Sequence, residues 1–177
     1  MKESYVSHNF NHPENVPFKM LTPREQDVLQ YVADGFTHEE QADALGISEK
    51  TVEHHIRGVA KIGMDKTSDP QISSSVVLTA LIYDGIMNNY INHELDTELQ
   101  TPLTLTARQD EYMKGLLQGK RVKGIADSLQ ISTKTVEIHS RNVSKRLGAK
   151  SFYHKIARYA YLQKHGLIQV KNRKENA

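Results

Sequence analysis

Between residues 133 and 147, Lys134, Glu137, Ile138, Arg141 and Lys145 recur at spacings that share one side of a helix, each residue turning by about 100°. Val136, Val143 and Leu147 fall on the opposite side and are predicted to pack inward. The outward set suits the edge of a base pair. An Arg fits guanine O6 and N7, a Glu the cytosine amine, an Ile a thymine methyl and a Lys a phosphate. Residues 49–62 echo the pattern, with Lys50, His54, Arg57 and Lys61 outward. Other chemistries find less support. There is no Cys, which excludes a thiolate nucleophile and a Cys-based zinc site. His54 and His55 are adjacent, and neighbours on a helix do not face one metal. The run Gly119-Lys120-Arg121-Val122-Lys123-Gly124 lacks the order of a phosphate loop and reads as a basic turn. No nucleophile–base or carboxylate pair points to catalysis. We therefore expect no enzyme activity, no cofactor and no metal.

These candidate residues sit in two near-copies of one segment, offset by 84 residues without a gap. Leu21, Thr22, Arg24, Gly35, Ala42, Leu45, Ile47 and Ser48 fall on Leu105, Thr106, Arg108, Gly119, Ala126, Leu129, Ile131 and Ser132. Thr51, Val52, Glu53, His55, Arg57, Val59 and Lys61 fall on Thr135, Val136, Glu137, His139, Arg141, Val143 and Lys145. Duplication of a small domain explains this. Each copy reads as four helices. The first opens on a capping box, Thr22 to Glu25 or Thr106 to Gln109, and closes at Gly35 or Gly119. The second covers about 38–45 and 122–129. A turn at Gly46-Ile47 or Gln130-Ile131 leads to an N-capping Ser48 or Ser132. The third covers about 49–62 and 133–147, and the fourth 73–84 and 152–165, with Gly85 and Gly166 following. No segment alternates with period two, so the fold class is all-α. Residues 1–20 are read as an arm, 21–87 as the first domain, 88–102 as an acidic linker, 103–168 as the second domain and 169–177 as a basic tail.

Two helices joined by a short turn form a helix-turn-helix, whose second helix fits the DNA major groove. Charge separates the copies. Residues 103–177 hold sixteen Lys and Arg against five Asp and Glu, a net +11, whereas residues 1–102 hold seven against sixteen, a net −9. One part is suited to a polyanion and the other less so, because Glu39, Glu40, Asp43, Glu49, Glu53 and Asp65 crowd the first copy. No run approaches the ~18 apolar residues of a membrane span, and the N-terminus lacks the pattern of a signal peptide. A cytoplasmic, nucleoid-associated protein with no membrane partner is expected.

Both copies resemble the LuxR/GerE-type helix-turn-helix domain. The second carries Leu105-Thr106-Ala107-Arg108, Gly119, Ile125-Ala126-Asp127-Ser128-Leu129-Gln130-Ile131-Ser132, Thr135-Val136-Glu137-Ile138-His139 and Asn142-Val143. The first carries Leu21-Thr22-Pro23-Arg24-Glu25, Gly35, Ala42-Asp43-Ala44-Leu45-Gly46-Ile47-Ser48 and Thr51-Val52-Glu53-His54-His55. The copies span about three quarters of the chain. The resemblance implies base contacts from Glu137, Ile138 and Arg141, matched by Glu53, His54 and Arg57. It implies phosphate contacts around Thr135 and from Lys134, Lys145 and Arg146, with Lys50 and Thr51 in the matching places. It also implies a homodimer through the fourth helices. The chain departs from the pattern at Gln41, Gly58, Gly124 and Phe152, and the first copy loses the usual Lys-Leu-Gly ending of the third helix.

His55 and His139 lean inward and are read as half-buried, hydrogen-bonded residues. Phe152, Ile156, Tyr159 and Ala160, at helical spacing, are read most simply as core, with a dimer seam as the second reading. The expected function is a transcriptional regulator that binds double-stranded promoter or operator DNA, with the second copy as main reader. The first copy then reads a second half-site or serves as an interaction module. A different class stays open: an antiactivator or coactivator that binds RNA polymerase or another regulator through the acidic domain.

Overall fold

The computed structural model describes residues 18–65, 72–93 and 101–171. The order of helices follows the repeat: α1 (Pro23–Asp34), α2 (His38–Leu45), α3 (Glu49–Met64) and α4 (Ser74–Met87), then α5 (Ala107–Leu117), α6 (Val122–Leu129), α7 (Thr133–Arg146) and α8 (Phe152–Lys164). Local chemistry sets most of the ends. The Glu25 amide donates to Thr22 Oγ1 at 3.3 Å, and the Thr22 amide donates to the Glu25 carboxylate at 2.8 Å. Gln109 and Thr106 repeat the exchange in front of α5. Each box satisfies amides that have no partner inside the helix. A third box, Thr37 with Glu40, opens α2 and was not foreseen. Gly35 closes α1 with φ 81°, a left-handed conformation that suits a residue without Cβ.

Two features differ from expectation. Gly85 does not end the fourth helix but lies buried inside it, and α4 runs on to an Asn88 cap. A Cβ at Gly85 would stand 2.7 Å from Ile91 Cδ1, so Gly there lets the chain after α4 fold back onto it. Ile91 and His93 are buried as a result, within the stretch read as linker. The amide of Asn92 donates to Gln30 Oε1 at 3.0 Å, and Gln30 Nε2 donates back to the Asn92 carbonyl at 2.6 Å. The second difference is a short parallel pair, β1 (Leu103–Thr106) with β2 (Ile168–Lys171), in register Leu103↔Ile168 through Thr106↔Lys171. Four residues are too few for a periodic signal, and such a pair forms only where tertiary packing holds both strands. The all-α core thus gains one ribbon, and the start of the expected basic tail is strand. The rest of that tail, most of the N-terminal arm and residues 94–100 lie outside the described residues.

The principal core crosses from one copy to the other. Val77, Leu78, Leu81, Ile82 and Ile86 of α4 share a buried cluster with Ile156, Ala157, Tyr159, Ala160 and Leu162 of α8. The two helices pack on each other, and α1 also packs against α8. Each fully buried Val, Leu or Ile contributes roughly 1.5–3 kcal/mol, so this seam is a major part of the fold. Polar links close it. Tyr83 Oη donates to Gln163 Oε1 at 3.0 Å, and Lys164 Nζ donates to the Ile86 carbonyl at 2.6 Å, where α4 leaves carbonyls without helical partners. The fourth helices, expected to join two chains, are therefore engaged with each other inside one. A homodimer through them would have to displace this pairing.

Candidate nucleic-acid interface

In each copy a Ser caps the third helix. The Thr135 amide donates to Ser132 Oγ at 3.0 Å and the Thr51 amide to Ser48 Oγ at 3.1 Å. The hydroxyls of each Ser–Thr pair also bond, at 2.8 Å and 2.9 Å. Thr135 and Thr51 are accordingly half-buried, held at the mouth of the turn rather than projecting freely. The preceding turn needs one left-handed residue. Gly46 supplies it in the first copy with φ 63°, and Gln130 in the second with φ 53°.

Val136 and Val143 are buried beneath α7, and Leu147 behind its end. Lys134, Glu137, Ile138, Arg141 and Lys145 all face solvent. Ile138 is 46% exposed, an apolar side chain that no core explains. Lys50, Glu53, His54, Arg57 and Lys61 form the matching exposed face of α3 over buried Val52 and Val59. The structure thus brings the expected site residues onto two helix faces, one per copy. Arg146 is exposed but has a structural task, because its Nη1 donates to the Thr104 carbonyl of β1.

The two faces differ in their charges. On α3, Arg57 is paired with Glu53 at 3.1 Å, and Glu39, Glu40, Asp43 and Glu49 are exposed nearby in sequence. Among the described residues Arg141 makes no ion pair or hydrogen bond. Lys120, Arg121 and Lys123 are also exposed, at and before the start of α6. Lys120 Nζ, in the turn before α6, donates to Ser128 Oγ near the end of that helix at 3.0 Å, and Val122–Gly124 of the expected basic turn are the first residues of α6.

The departures in the first copy have physical counterparts. Gln41, at the place of buried Ile125, is 1% exposed and donates from Nε2 to the Phe36 carbonyl at 3.0 Å. Its Oε1 has no partner among the described residues. At Gly58 a Cβ would come within 3.2 Å of Glu25 Oε1, so α3 runs close to the capping box of α1. His55 and His139 are half-buried as expected, but neither makes a hydrogen bond among the described residues. Burial, followed by the charge of Arg108, lowers the pKa of His139 and favours the neutral ring. Ile156, Tyr159 and Ala160 are core, whereas Phe152 is 41% exposed and instead lies over Lys155.

One group beneath α7 was missed. Lys155 Nζ donates to Tyr112 Oη and to Ser140 Oγ, both at 3.0 Å, and Tyr112 Oη donates to Ser140 Oγ at 2.7 Å. The sequence held a signal for it. At the 84-residue offset, Tyr112 and Ser140 face Val28 and Ile56, apolar residues of the first copy's core.

Among the described residues no helix is long and apolar enough to cross a membrane. The bacterial regulatory proteins of the luxR family match residues 19–67 and 103–159, that is, both copies. The chain is 46% identical over 48 residues to the nitrate/nitrite response regulator protein NarP of Escherichia coli, covering 27% of this chain and 22% of that protein. It is 42% identical over 55 residues to the spore germination protein GerE of Bacillus subtilis, covering 31% of this chain and 74% of that one. The transcriptional activator protein CarR of Pectobacterium carotovorum is 48% identical over 46 residues, 26% of this chain and 19% of that protein. Against NarP and CarR the chain thus spans about a fifth of the relative's length. No solved structure matches. With the family's pattern matched over two segments that cover more than half of its length, this chain belongs to the luxR family of bacterial regulatory proteins.

Proposed function

We propose that the chain is a sequence-specific regulator of transcription that binds double-stranded DNA as a pseudo-dimer, both halves in one polypeptide. The observation that carries this is the packing of α4 on α8 within the chain, while α3 and α7 keep their outer faces exposed. α7 is the main reader, through Glu137, Ile138 and Arg141, with phosphate contacts from Lys134, Lys145 and, alongside its bond to β1, Arg146. α3 meets a second half-site more weakly, through Glu53, His54 and Arg57, because phosphate repels its acids. This role places the protein in the cytoplasm, at the nucleoid. A footprint with measured stoichiometry tests the proposal: one chain should protect two half-sites about one helical turn apart.

A second reading draws on the Glu53–Arg57 pair and the exposed acids of α2 and α3. Here the first copy is an interaction module for another regulator or RNA polymerase. One chain protecting a single half-site would favour it. Absence of any protection would sink both forms in which α7 reads DNA.

A further inference from the structure

The cluster under α7 joins three helices at one point: Tyr112 comes from α5, Ser140 from α7 and Lys155 from α8. Ser140 immediately precedes Arg141 and follows Ile138 by two residues, so it sits at the back of the reading face. Its hydroxyl accepts from both Lys155 and Tyr112. Lys155 is 3% exposed, and its ammonium also lies over the rings of Tyr112 and Phe152, at 5.3 and 5.4 Å. Among the described residues no carboxylate pairs with it; the groups that face it are the two hydroxyls and the two rings. Burial draws its pKa down to about 8 and raises that of Tyr112, so the phenol keeps its proton and donates.

A buried ammonium is costly, and apolar side chains would fill this space at less cost, as Val28 and Ile56 do in the first copy. Hydrogen bonds are directional, however, whereas apolar packing tolerates a helix that rolls about its axis. A small roll of α7 would sweep Glu137, Ile138 and Arg141 across the base edges they face. α8 is itself held from behind by its packing on α4, so the ammonium projects from a fixed support.

We propose that Lys155 is a positioning residue for DNA reading: through Tyr112 and Ser140 it sets the roll of α7, and so the base preference of the second half-site. This rests on the DNA-reading role proposed above. The test selects bound sequences from randomised duplexes with wild type, Arg141→Ala, Lys155→Met and Tyr112→Phe. The bases whose preference changes in Arg141→Ala mark the half-site that α7 reads. Lys155→Met should shift preference at those bases, leave the other half-site unchanged, and weaken binding to the wild-type sequence about tenfold, the scale of one lost charged hydrogen bond. Tyr112→Phe keeps the ring and its packing, and should shift the same bases to a smaller degree. It also decides the matter if Lys155→Met does not fold. A folded variant with an unchanged base profile overturns the proposal, even if it binds every sequence more weakly, because the cluster would then serve stability alone. A wild type that enriches no sequence removes the DNA reading itself, and the positioning role with it.

Discussion

Arg57 lies 3.1 Å from Glu53, one turn earlier on α3, in an ion pair between two exposed side chains. Such a pair contributes only about 0.3–0.5 kcal/mol, but it leaves a carboxylate on the reading face and a guanidinium already partnered. Arg141, at the matching place on α7, has no such tie among the described residues. A bidentate Arg–guanine contact discriminates by about 1–3 kcal/mol. Arg141→Ala should therefore lower affinity for the protein's target duplex by tenfold or more in a gel-shift titration. Arg57→Ala should change it by about threefold at most. If neither substitution weakens binding, α3 and α7 do not read DNA.

Gly35 and Gly46 both adopt a left-handed conformation, but their surroundings differ. A Cβ at Gly35 would stand 2.6 Å from His154 Nδ1, whereas nothing lies within 4 Å of one at Gly46. Gly46→Ala should cost about 1 kcal/mol, the conformational penalty alone. Gly35→Ala adds a clash where α1 meets α8 and should cost roughly 2–4 kcal/mol. Urea unfolding measures both. In a His154→Ala background, which removes the ring but keeps the Cβ 3.0 Å away, the gap should narrow, and an unchanged gap would show that the clash is not with that ring.

Gln130 holds φ 53° at the turn where the first copy has Gly46. Gln130→Gly relieves the Cβ penalty and gives back part of the gain as unfolded-state entropy. The expected outcome is a stabilisation of about 0.5–1 kcal/mol in urea unfolding, with DNA affinity unchanged. A destabilised variant would mean that the Gln side chain supports the turn.

His154 couples the copies to pH. Its ring is buried, accepts from the Lys150 amide at 3.1 Å, and lies 5.5 Å from the ring of His93. His93 in turn bonds Asp34 at 2.9 Å. Burial above all, then the neighbouring His93, Arg158 and Lys150, lowers the His154 pKa to about 4, while Asp34 opposes the shift. The unfolded ring takes up its proton near 6.5 and the folded ring only near 4. Stability is therefore fully present above 6.5 and is lost as pH falls toward 4, by about 3 kcal/mol for this group. Unfolding midpoints between pH 7.5 and 4.5 should fall more steeply for wild type than for His154→Leu. Parallel slopes would assign the acid sensitivity to other groups.

Much of the fold was legible because its signals are local. A Thr with Glu or Gln three residues on, a Ser before an amphipathic run, and an offset of 84 residues are features of neighbouring residues or of chain order. They placed the helices, the two turns and the outward faces of α3 and α7. Gly85 misled for a related reason: a Gly marks a helix end only when the backbone turns left-handed, and here it makes room for Ile91 instead. Helical spacing alone puts Phe152 with the core or a dimer seam, yet it is 41% exposed and its ring lies over the Lys155 ammonium.

By itself, the sequence determined two helix-turn-helix units, the family they belong to and the opposite charge of the two halves. Only the tertiary structure decided that the fourth helices pair within one chain, that 103–106 and 168–171 become strands, and that Tyr112, Ser140 and Lys155 meet under α7. The physical reason is range. Caps and helix faces arise from residues a few positions apart, whereas these pairings join residues tens of positions apart, whose meeting depends on how the helices pack.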